Sequence, residues 1–113
     1  MYVRIARFEG GTAAEIEEEG ARIRRDIDAA RRGEEGPEVP AELARLAQRI
    51  ELLVDRDRGA AVVLVYAETE DQAKEIDRIM DGMSPSSDRW GRRVSNEVYE
   101  VFFDEAPGLS RAA

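Results

Sequence analysis

Two apolar runs, Ile50–Val54 and Ala60–Ala67, flank the polar turn Asp55-Arg56-Asp57-Arg58-Gly59, and the rest of the chain must pack around them. Val, Ile, Leu and Tyr crowd the runs, and a glycine closes the turn, which is the pattern of a β-hairpin. The second run lacks polar alternation: Ala61, Val62, Val63, Leu64, Val65 and Tyr66 are all apolar. Such a strand is expected to be buried on both faces. One face can pack on the chain's own helices. With 113 residues, little chain is left to cover the other, so a second copy is the expected cover.

The segments on either side supply the remaining elements. Tyr2–Glu9 alternates, with Val3, Ile5 and Arg7 on one side and Tyr2, Arg4, Ala6 and Phe8 on the other, so a strand is expected there. Gly10-Gly11 stops it, and Thr12 with Glu15 forms a capping-box pattern for a helix to about Arg32. Ile16, Gly20, Ile23, Ile27 and Ala30 make its apolar stripe. Acids load its first turns and Arg22, Arg24, Arg25, Arg31 and Arg32 its later ones, which complements the helix dipole. That arginine group reads either as an anion site or as a solvated helix face.

Gly33–Pro40 is a turn-rich linker, followed by a short helix over Ala41–Gln48 with Leu43, Leu46 and Ala47 inward. After the hairpin, Thr69 with Gln72 opens a helix over Glu70–Met83 whose inner side carries Ala73, Ile76, Ile79, Met80 and Met83. Ser84–Arg93 reads as a loop, Val94–Asp104 as the last strand, and residues 106–113 as a tail to a single domain over 1–105. The order β-α-(α)-β-β-α-β is that of an α+β, ferredoxin-like βαββαβ fold. It implies a four-stranded antiparallel sheet with Tyr2–Glu9 and Ala60–Ala67 central and the helices on one face. The bare face then favours a sheet-to-sheet homodimer. Burying about 600 Å² of apolar area per subunit offers on the order of 15 kcal/mol before association costs.

Composition excludes several chemistries. There is no Cys and no His, so no disulfide framework, thiol catalyst, imidazole base or His-ligated haem is available, and no metal or cofactor is expected. The net charge of −8 argues against nucleic acid as a partner. No apolar run reaches membrane-span length and MYVRIARFEG lacks a signal peptide's apolar core, so no membrane association and a cytoplasmic protein are expected.

The hairpin ELLVDRDRG-AAVVLVYAETEDQAKEI, followed by RRVSNEVYEVF, resembles the antibiotic-biosynthesis-monooxygenase-like proteins of the dimeric α+β barrel superfamily. Element order extends the resemblance over nearly the whole chain, and residue pattern over about the last two thirds. It implies a dimeric α+β barrel with a pocket between sheet and helices, and a cofactor-independent monooxygenase acting on a small apolar aromatic substrate. The alternative is a non-catalytic dimeric module of the same fold that binds a small ligand or a protein. The haem-degrading branch uses a His and a first-strand Asn, and this chain has neither. Oxygenase branches use Trp, Asn, Tyr and Arg. Trp90, Asn96, Tyr66 and Arg4 are the pocket candidates here, although they do not align with a family motif.

Each candidate has a plainer reading. Trp90, in the loop DRWGRR, suits a lid or a stacking platform, or packing over a helix end or across a dimer. Asn96 suits a carbonyl or oxyanion partner if it faces a cavity, and plain exposure if it does not. Arg4 and Arg7 lie on opposite faces of a central strand, so one is expected to be partly buried and paired with a carboxylate such as Glu97 or Glu100. Tyr66, like Tyr2 and Tyr99, suits core or interface.

Overall fold

A computed structural model describes residues 1–36, 39–82 and 91–108. Its elements in chain order are β1 (Tyr2–Gly10), α1 (Ala13–Arg31), α2 (Ala41–Leu46), β2 (Arg49–Asp55), β3 (Ala60–Ala67), α3 (Glu70–Asp81) and β4 (Gly91–Glu100). The four strands form one antiparallel sheet in the order β2-β3-β1-β4. This is the ferredoxin-like arrangement, with β1 and β3 central as the element order implies.

Local chemistry accounts for the helix starts. The Thr12 hydroxyl accepts the Glu15 N–H, which satisfies one of the orphan donors of α1. The return half of the expected box is replaced, because the Thr12 hydroxyl itself donates to the Glu15 carboxylate. At α3 both halves are present: Thr69 accepts from Gln72 N–H and the Gln72 side chain accepts from Thr69 N–H. The short helix ends at Leu46 instead of Gln48. The Gln48 N–H donates to the Tyr66 carbonyl, so the chain has already joined the sheet there.

The hairpin closes where two backbones meet. Gly59 has φ +63°, and a Cβ there would lie 2.0 Å from the Gly11 carbonyl oxygen. Gly11 N–H also donates to the Gly59 carbonyl at 3.1 Å, so the turn is pinned to the end of β1.

The last strand is displaced from its expected span of Val94–Asp104. Gly91, Arg92 and Arg93 pair with Gly10, Glu9 and Phe8 across a bulge at Arg7/Phe8, which makes strand of residues expected as loop. At the other end β1 begins at Tyr2. Beyond Glu100, among the described residues, the ladder continues only as the Val101 N–H donating to the Met1 carbonyl. Val101–Gly108 therefore carries no regular structure.

Strand parity sorts the side chains. Ala6 of β1, Val63, Val65 and Ala67 of β3, and Ile16, Leu43, Ala73 and Ile76 of the helices are buried on the helical side of the sheet. Strand β3 alternates strictly between buried and half-exposed positions. In the single chain it is thus covered on one face only: Ala60, Val62, Leu64 and Tyr66 look out on the open face. α3 seats on β1, β3 and β4, while α1 touches β2 and α2.

Candidate functional site

The helical layer leaves a gap over the sheet edge. α1 carries Ile16 fully into the core, but Ile23 and Ile27 remain half-buried. Below them Ile50, Leu52 and Val54 of the edge strand β2 point to the same side. Between helix and strand lies a half-open cleft of about 730 Å³, within the usual size of small-molecule sites. A second hollow of about 420 Å³ continues it past Ile27 and Ile50 toward Val39 and Ala47. At the middle of the cleft Gly20 approaches Leu52 so closely that an added methyl would sit 2.9 Å from Leu52 Cδ2. The cleft walls are aliphatic, and Glu17, Arg24, Asp28 and Arg31 stand at its mouth.

A separate polar cluster lies under α3. Arg4, 1% exposed, sends Nε to Asp77 Oδ1 at 3.0 Å and Nη1 to the Met80 sulfur at 3.3 Å. Asn96 Nδ2 donates to the same Asp77 oxygen at 2.7 Å and to Asp81 at 3.3 Å. Arg93 pairs with Asp81 at 2.9 Å. Carboxylates four residues apart on α3 thus gather two arginines and an amide from β1 and β4. The buried Arg4 draws its carboxylate from α3, not from Glu97 or Glu100 as expected. Glu97 instead faces the exposed Arg7 at 3.7 Å on the opposite side of the sheet. Two atoms of the cluster, Arg4 Nη2 and Asn96 Oδ1, are buried without a hydrogen-bond partner among the described residues.

The open face forms the third feature. Val3 and Ile5 of β1 pair with Tyr66 and Leu64 of β3, and with Val62 they make an apolar centre. Two tyrosine–carboxylate–arginine groups flank it. Tyr66 donates to Glu51 at 2.9 Å and lies under the Arg49 guanidinium, 5.6 Å from the ring centroid. Burial first and the Glu51 hydrogen bond second push the Tyr66 hydroxyl above its ordinary pKa. On the other side Tyr99 donates to Glu97, which raises the tyrosine and lowers the carboxyl. Beyond Tyr99, Phe102 and Phe103 stand 89% and 74% exposed, their rings edge-to-face at 6.0 Å.

Of the four sequence candidates, the structure brings Arg4 and Asn96 together on Asp77 and places Tyr66 on the opposite face of the sheet. Trp90 lies outside the described residues. None of Arg4, Tyr66 and Asn96 lines the α1–β2 cleft. Sequence reasoning passed over Asp77 and Asp81, although their four-residue spacing beside Ile76 and Met80 on α3 marks them as neighbours of the core side. Among the described residues no cluster of three metal-binding side chains occurs, and no helix is long and apolar enough to cross a membrane.

Compared with known proteins, the chain matches no family model, no curated protein and no solved structure. Its fold stands on its own geometry: an α+β chain with a four-stranded antiparallel sheet.

Proposed function

We propose that the chain is a self-associating binding module in which two copies meet across the open sheet face and each holds a small apolar ligand in its α1–β2 cleft. The observation that carries this reading is the open face itself. Half-exposed Ile5, Val62 and Leu64 form one apolar centre over the buried Val3, with hydrogen-bonded tyrosines on both sides; exposed Leu53 extends it beside Val62, and Phe102 and Phe103 are exposed beyond Tyr99. A contiguous apolar face with a polar rim is the anatomy of a protein interface. A two-fold axis between two such faces would bring the apolar centres together and complete the cover that β3 lacks.

Within this reading the dimer is the dimeric α+β barrel that the family resemblance implies. A cofactor-independent monooxygenase is the second reading, favoured by the aliphatic cleft, which suits a small apolar aromatic substrate. Binding without turnover comes first because the residues expected to do the chemistry do not meet in that cleft. Arg4 and Asn96 are engaged by Asp77, and Tyr66 faces the other way.

Native mass spectrometry and light scattering test the assembly. The expected mass is twice the 12.7 kDa of the chain, and Leu64→Glu, at the half-exposed centre of the open face, is expected to give a folded monomer. A wild-type monomer at all concentrations would remove the interface. Oxygen consumption with small polycyclic aromatic compounds separates the two readings of the cleft.

A further inference from the structure

The charges at the mouth of the α1–β2 cleft are not balanced. Its two acids are already matched, Glu17 by Arg56 and Asp28 by Arg31 at 2.8 Å. Arg22 is held by Glu18 and Glu19, and Arg32 by Glu34. Arg24 lines the cleft, yet among the described residues it makes no hydrogen bond and no ion pair. A chain of net charge −8 therefore keeps, among its described residues, an unmatched guanidinium beside this apolar cleft.

Given the reading of this cleft as a ligand site, we propose that the ligand is an elongated apolar carboxylate whose acid group pairs with Arg24. Its chain lies along Ile23, Ile27 and the edge strand. Ile50 and Val54 of β2, four residues apart, span about 13 Å at roughly 3.3 Å per residue, so the apolar wall suits a chain of medium length. At Gly20 the helix backbone comes closest to Leu52, so the two elements meet at the inner end of the cleft. Aliphatic walls give a carboxylate no partner of their own, so the ligand's charge must be met at the mouth, where a guanidinium fork fits both carboxylate oxygens. Of the five arginines that the sequence grouped as either an anion site or a solvated face, this assigns the anion role to Arg24 alone.

The test compares octanoate with 1-octanol on the full chain by calorimetry, with amide shift mapping for location. Wild type is expected to bind octanoate roughly tenfold more tightly than octanol, as one charge-assisted pair provides. Shifts should centre on Gly20, Ile23 and Leu52. Arg24→Gln should bring octanoate down to the level of octanol and leave octanol unchanged, while Arg25→Gln, unpaired but outside the cleft lining, should change neither. Equal binding of the acid and the alcohol, or an unaltered octanoate affinity in Arg24→Gln, overturns the carboxylate assignment while the apolar cleft stands. If neither compound binds at millimolar concentration, both the assignment and the ligand reading of the cleft fail.

Discussion

Arg4 of the central strand β1 and Asp77 of α3 are joined at 3.0 Å, and this pair fastens α3 to the sheet from inside. Arg4 is almost wholly enclosed, so its charge depends on Asp77, with Asp81 3.9 Å from Nη2. Removing one partner of a buried pair costs far more than removing both, because the remaining charge is left without compensation.

Asp77→Ala is accordingly expected to lower unfolding free energy by about 2–3 kcal/mol, below the full cost for a fully enclosed pair because the Asp77 side chain is one third exposed. Arg4→Met combined with Asp77→Ala should recover most of that loss. Urea unfolding of the two variants checks it: equal destabilisation of both would show that the pair acts independently of Arg4 burial.

Gly59→Ala is expected to cost about 1–3 kcal/mol, since it combines positive φ with a collision against the Gly11 carbonyl. Gly33→Ala is the matched control. Its φ is +79° but nothing lies within 4 Å of the new methyl, so only the conformational cost of roughly 1 kcal/mol applies. Thermal unfolding should rank wild type above Gly33→Ala and Gly33→Ala above Gly59→Ala.

All three tyrosines, Tyr2, Tyr66 and Tyr99, have hydroxyl pKa values raised above the ordinary 10.0. A raised value means that the folded chain holds these protons more tightly than the unfolded chain. The stability they contribute is complete below the ordinary tyrosine pKa and is lost as pH rises through the folded values. Phenolate absorbance of the native protein should therefore develop later than that of the urea-unfolded chain. Glu51→Gln should reduce the delay for Tyr66 without abolishing it, because burial is its larger cause.

Much of the fold is written in local pattern. The unbroken apolar run of Ala60–Ala67, the helical stripe of Ile16, Gly20, Ile23 and Ile27, and the Thr69–Gln72 cap each act over a few residues, so they read without knowledge of the partner elements. The ends of β4 do not. Gly91 pairs because Gly10 lies opposite, and the register with β1 runs only as far as Tyr2 and Glu100. Asp77 as the partner of Arg4, 73 residues away, was equally out of reach, since β1 and β4 offered nearer carboxylates in the same sheet.

The sequence by itself determined the element order, the central place of the most apolar strand and the helix starts, because periodicity and capping are short-range properties. Tertiary structure decided which arginine is buried, that Tyr66 faces away from Arg4 and Asn96, and that α1 stands off β2 to leave a cleft beside Arg24. These depend on strand register and on the distance between packed layers. A one-residue slip would reverse every side chain on a strand, and no local pattern carries that information.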